Sequence, residues 1–160
     1  MNSSCLIVLF SYFHHNTEKI AKTFAEVLDG QILKPRDVDP QELTRYKLVG
    51  FGSGIYDYKQ HKSLFDLADK LPRANDQKVF LFSTCGVPAV FTNEKMFRDN
   101  HAPLRDILES KDYDVVGEFS CAGFNTNSFL KYFGGINKGR PNTRDLANAK
   151  EFALSLKKYL

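Results

Sequence analysis

With 160 residues, 42% of them apolar and 26% charged, the chain is long enough to bury a core as one domain spanning residues 1–160. Its 22 basic and 19 acidic side chains leave a formal charge of only +3 without a dense Lys/Arg cluster, so nucleic-acid binding has no support. No apolar run approaches the roughly 18 residues of a membrane span. Cys5, Cys85 and Cys121 are odd in number, widely spaced and without a Cys-x-x-Cys, and the opening Met-Asn-Ser-Ser lacks the charge of a secretory signal. Both point to a reducing, cytoplasmic setting.

Residues 5–10, Cys-Leu-Ile-Val-Leu-Phe, form an unbroken apolar run that suits a strand buried on both faces. From residue 18 the period changes: Ile20, Ala21, Phe24, Ala25, Val27 and Leu28 share one side of a helix. Asn16 or Thr17 stands where its N-cap belongs. A strand, a short polar turn and a helix N-terminus in this order aim free N–H groups and the positive end of a helix dipole at one point, which suits a phosphate. Residues 31–34 read as a short edge strand ended by Pro35, and Asp39-Pro40-Gln41-Glu42 as the start of a short helix. Residues 47–52 form a second buried strand, leading into a polar and aromatic loop at 53–60 and a helix through Leu64, Leu67, Ala68 and Leu71.

Residues 78–82 are the next strand, with 83–88 as its exit loop. Thr92 is placed to cap a helix towards Ser110 that Pro103 should break or kink. Residues 115–121 are the last strand, and Asn142 with Asp145 resembles a capping box opening the final helix. Five strands alternating with five helices, joined by right-handed crossovers, predict an α/β fold with a doubly wound five-stranded parallel sheet. Ligands then bind beyond the carboxyl ends of the strands, where the loops after the first, third and fourth converge.

Those loops carry a resemblance. Ser-Tyr-Phe-His-His-Asn-Thr-Glu-Lys at 11–19, Gly-Phe-Gly-Ser-Gly-Ile-Tyr-Asp-Tyr at 50–58 and Phe-Ser-Thr-Cys-Gly at 82–86 resemble the flavin mononucleotide (FMN) loops of the flavodoxin family. Residues 117–124 and 139–149 are also similar to segments of flavodoxin-like proteins. The resemblance implies a flavodoxin-like sheet of order 2-1-3-4-5 with FMN across its carboxyl edge. Residues Ser11, Phe13, His14, His15, Asn16 and Thr17 would then wrap the phosphate through backbone N–H groups and the hydroxyls of Ser11 and Thr17. The loop departs from the family pattern: it is one residue longer, and His14-His15 occupy the place of its glycine. Adjacent histidines also suit a metal, but no partner cluster is visible.

By the same resemblance, Ser53, Gly54 and Ile55 approach the reactive edge of the flavin through their backbones. Tyr56 covers its ring or is simply a loop aromatic, and Tyr56-Asp57 replaces the flexible Gly-Asp pair of small flavodoxins. Ser83, Thr84, Cys85 and Gly86 line the pyrimidine end, with Cys85 in a packing role. Residues 123–141, aromatic and basic with Phe124 at their start, make a lid, a docking surface or a solvated loop. The expected function is electron transfer to a redox partner protein, an acidic one given Lys131, Lys138 and Arg140. The alternative is an FMN-dependent oxidoreductase acting on a quinone, porphyrinogen or NAD(P)H. A signalling receiver domain is excluded, because Phe10-Ser11-Tyr12 offers no acid to hold Mg²⁺ after the first strand.

Overall fold

The structure, a computed structural model, describes residues 3–160. Six strands form the sheet: β1 (Cys5–Phe10), β2 (Gly30–Leu33), β3 (Leu48–Tyr56), β4 (Lys59–Gln60), β5 (Gln77–Cys85) and β6 (Tyr113–Ala122). Four α-helices accompany them: α1 (Asn16–Leu28), α2 (Lys62–Lys70), α3 (Glu94–Ser110) and α4 (Thr143–Leu156). The five long strands pair in parallel in the order β2-β1-β3-β5-β6, which is the expected 2-1-3-4-5 once the short β4 is set aside.

Alternation along each strand divides the core in two. Leu6, Val8, Val49, Phe51, Val79 and Leu81 face α2 and α3, burying Leu64, Leu67, Leu104 and Leu108. On the other face Ile7, Leu9, Phe80 and Phe82 meet Ile20, Phe24 and Leu28 of α1 and Ala149, Ala153 and Leu156 of α4. A sheet covered on both sides accounts for the continuous apolar runs. Gly50 and Gly52 are required by this packing: the rings of Phe80 and Phe82 lie over them, and a Cβ would fall 2.3 Å and 2.1 Å from ring carbons.

Four local expectations need correction. The loop expected at 53–60 is mostly a β-hairpin, with Ile55 opposite Gln60 and Tyr56 opposite Lys59, turned by Asp57 and Tyr58 at φ 52° and 62°. The helix expected after Asp39 shortens to 3₁₀ turns at Pro35–Asp37 and Leu43–Arg45, because β3 begins at Leu48. Asn93, rather than Thr92, caps α3 by accepting from the Met96 N–H at 2.9 Å. Pro103 interrupts nothing: α3 is continuous through it, and Pro103 and Asp99 stand on the exposed side, where water can serve the carbonyl left without a donor. The capping box on α4 is present as read, with Asn142 and Asp145 bonded reciprocally.

Candidate functional site

The strand order reverses between β1 and β3, and their registers set Phe10 beside Ser53, Ser53 beside Ser83, and Gly54 beside Thr84. The loops leaving these strands therefore meet at one point of the carboxyl edge. There they enclose a cavity of about 100 Å³. Of the expected residues it brings together Phe13, His14, Asn16, Thr17, Gly54, Ile55, Tyr56, Thr84, Cys85, Gly86 and Phe124, and adds Tyr12, Asn125 and Asn127.

The first wall is the loop from Ser11 to Thr17. Phe13, His14 and His15 are consecutive left-handed residues, at φ 37°, 37° and 52°. Each such non-glycine conformation costs on the order of 1 kcal/mol or more and persists where neighbours enforce it. The enforcing contacts run across to residues 124–126. Asn16 Nδ2 donates to the Phe124 carbonyl at 2.8 Å, His14 Nε2 lies 2.8 Å from Thr126 Oγ1, and the His14 ring is 4.4 Å from that of Phe124. Thr17, 2% exposed, shares a hydrogen bond of 2.8 Å with the Thr84 hydroxyl, tying the first turn of α1 to the end of β5. The first N–H groups of α1 have no intrahelical acceptors. Two buried oxygens of this loop, Ser11 Oγ and Asn16 Oδ1, have no hydrogen-bond partner.

The second wall is the β3–β4 hairpin. Tyr56, 38% exposed, packs edge-on to Phe10 at 6.3 Å and to His61 at 5.2 Å. His61 stacks flat on Phe10 at 3.5 Å and accepts from the Ser63 N–H, and burial pulls its pKa below the ordinary imidazole value. Burial likewise raises the Tyr56 phenol and the Cys85 thiol, so Cys85 remains a protonated wall group. The third wall runs from Gly123 to Asn137, held by paired backbone bonds between Asn125 and Ile136. Asn137 bonds the Ala89 N–H and the Val87 carbonyl, fastening this wall to the loop after β5.

Five expected residues lie outside the cavity. Ser11 and His15 face a neighbouring cavity of about 720 Å³, and Asp57 is exposed in the hairpin turn. Ser53 is fully buried, its hydroxyl donating to the Gly54 carbonyl and accepting from the His61 N–H. Ser83 is also buried, with its Oγ 2.8 Å from both His101 Nε2 and Ser120 Oγ. His101 Nδ1 in turn meets Glu118 Oε2 at 3.2 Å, and Arg105 pairs with the same carboxylate. Burial alone would raise the Glu118 pKa, but hydrogen bonds from His101 and Arg105 outweigh it and hold the carboxyl below its ordinary value. Sequence reading gave no sign of this network, since its members lie on three separated elements.

No protein-family model matches the chain. It is 46% identical over 153 residues to the uncharacterized protein MJ0298 of Methanocaldococcus jannaschii, covering 95% of this chain and 97% of that one. Among solved structures, oxidised flavodoxin 2 from Bacillus cereus superposes with a TM-score of 0.67 at 18% identity, over 98% and 99% of the two chains. A flavodoxin from the domain Archaea gives 0.66 at 14%, over 96% and 95%. The flavodoxin, WrbA-like protein from Agrobacterium tumefaciens gives 0.61 at 13%, over 98% and 96%. The chain has the flavodoxin fold and belongs to one family with the archaeal protein MJ0298.

In a flavodoxin-like chain the group to test at this edge is FMN. Its phosphate suits the free N–H groups at the start of α1, where Thr17 borders the cavity. The flavin ring needs more room than about 100 Å³, since sites for ligands of that size span roughly 300–1,000 Å³. His14 and Phe124, whose rings lie 4.4 Å apart, both line the cavity.

Proposed function

We propose that this chain binds one FMN at the carboxyl edge and transfers electrons. When bound, FMN supplies one- and two-electron redox chemistry, and the protein supplies position and environment. The observation that carries the reading is the strained loop at Phe13–His15 beside the start of α1, whose first N–H groups have no intrahelical acceptors. Strain of this kind concentrates at ligand sites. Residues 11–17 hold the phosphate, Gly54 to Tyr56 border one side of the ring, and Thr84 to Gly86 border the other. The electron partner presents negative charge to this edge, because residues 119–144 contain Lys131, Lys138, Arg140 and Arg144 and no Asp or Glu.

Replacing Thr17 by Glu tests the assignment. A carboxylate in the first turn of α1 repels a phosphate dianion, and FMN affinity should fall at least tenfold while circular dichroism remains native. Unchanged affinity in a folded Thr17→Glu protein overturns it.

One observation favours a second reading as an FMN-dependent oxidoreductase. The cavity of about 720 Å³ beside the loop shares Tyr12 with the central site and is lined by Phe10, Leu33 and Pro35, by Lys34 and Arg36, and by Lys22 paired with Glu18. That is room for a substrate with an apolar body and negative charge, such as NAD(P)H. Multiple turnovers of NADPH with a soluble quinone support this reading, and a protein that only exchanges electrons with another protein excludes it.

A further inference from the structure

Among the described residues, eleven large hydrophobic side chains stand exposed, and ten of them lie in the four loops at the carboxyl edge of the sheet. The most exposed are Val90 at 86%, Tyr58 at 82%, Phe133 at 81% and Tyr132 at 78%. Hydrogen bonds fasten these loops into one surface: His14 to Thr126, and Asn137 to Val87 and Ala89. Phe129 and Phe133 stand together on the 3₁₀ helix Ser128–Phe133, with ring centres 6.5 Å apart. Exposed apolar side chains scattered singly are ordinary, but their concentration at one edge marks an interaction face.

The composition of the face selects its occupant. Loops 11–17, 53–60, 83–93 and 119–144 contain a single acid, Asp57, against Lys59, Lys131, Lys138, Arg140 and Arg144. Arg140 is occupied by Asp145 at 3.0 Å, so the free charge near the aromatics is mainly lysine. Lys131 Nζ lies over the Tyr132 ring, 5.1 Å from its centre. Protein interfaces are enriched in aromatic residues, Met and Arg but depleted in Lys. Aromatic tips whose free charges are mainly lysines suit a bilayer boundary, where rings enter the acyl region and ammonium groups meet anionic headgroups.

We propose that this edge docks on an anionic membrane surface, with Phe129, Phe133 and Phe91 entering the lipid and Lys131 and Lys138 at the headgroups. The docking needs no flavin. The electron partner required above is then one held at that anionic surface, and the docking turns the central cavity towards it. No helix among the described residues is long and apolar enough to cross a membrane, so the contact is peripheral.

The chain contains no tryptophan, so Phe129→Trp gives a single fluorescent reporter of depth. With and without FMN, the protein should co-sediment with vesicles containing anionic phosphatidylglycerol. The indole emission of the Phe129→Trp protein should then shift to the blue and be quenched by brominated acyl chains. Binding should weaken more than tenfold in 0.5 M salt, on neutral vesicles, in Phe129→Ser with Phe133→Ser, and in Lys131→Glu with Lys138→Glu. All these side chains are exposed, so melting temperatures should match the parent, which separates lost docking from lost folding. No binding to anionic vesicles, an indole that brominated chains leave unquenched, or preference for an acidic polypeptide or a single-stranded oligonucleotide over vesicles overturns the proposal.

Discussion

Replacing Asn16 by Asp separates the role of this residue in the fold from its role at the proposed phosphate site. Asp has nearly the same shape but no donor. In the native protein Nδ2 bonds the Phe124 carbonyl at 2.8 Å, while Oδ1 is buried without a partner. Losing the donor leaves a part-buried carbonyl unmet, at roughly 1–3 kcal/mol. A carboxylate in the first turn of a helix recovers about 0.3–1 kcal/mol from the dipole. The net loss is on the order of 1–2 kcal/mol, and at roughly 2–4 °C per kcal/mol for a chain of this size the melting temperature falls by about 2–8 °C. For FMN the penalty is electrostatic. One helical turn is about 5 Å, and at effective dielectric constants of roughly 20–80 each unit of phosphate charge is then opposed by on the order of 1–3 kcal/mol. At about 1.4 kcal/mol per decade, affinity falls roughly fivefold to 150-fold. Riboflavin, without the phosphate, should lose little. Calorimetric titration of both flavins into both proteins, with melts recorded without flavin, measures each quantity. Equal losses for FMN and riboflavin, or none for FMN in a folded variant, refute the reasoning.

Gly52→Ala drives a methyl to within 2.1 Å of the Phe82 ring and should destabilise the chain by about 1–3 kcal/mol, measured in urea. An unchanged midpoint shows that Phe82 moves aside freely. Tyr56→Ala should partly restore the fluorescence of bound FMN and weaken its binding; equal quenching in both proteins assigns ring contact elsewhere, first to Tyr12 or Phe124. Because the Glu118 carboxyl is held below its ordinary value, the folded chain binds this proton less readily than the unfolded one. That contribution to stability is present at neutral pH and is lost as pH falls below about 4.5. Glu118→Gln should flatten the fall in stability between about pH 5 and 3 in equilibrium unfolding, and an identical pH profile rules the network out as its source.

The sheet, its order and the meeting of three loops were legible because they rest on patterns local to a few residues. The apolar run before Ser11, the period change after it and the Asn142–Asp145 spacing each state a local preference that the tertiary structure keeps. The β3–β4 hairpin was not, because its turn is Asp57-Tyr58 rather than a glycine pair, and tyrosine does not advertise a left-handed backbone. Ser53 and Ser83 carried the expected residue type at the expected strand ends, but strand pleat turns both hydroxyls into the interior. His101 meets both Ser83 and Glu118 only because α3 packs on β5 and β6, contacts between residues 17 and 18 positions apart that no spacing announces. The closeness of His14 to Phe124, which narrows the central cavity, likewise joins residues more than a hundred positions apart.

Titrating flavin-free protein with FMN and with riboflavin, while following heat and flavin absorbance, tests whether the carboxyl edge is a phosphate-anchored flavin site. The account predicts one FMN per chain, a structured shift of the absorbance bands, and affinity for FMN at least a hundredfold above that for riboflavin. Absence of FMN binding, or equal affinity for both flavins, would contradict it.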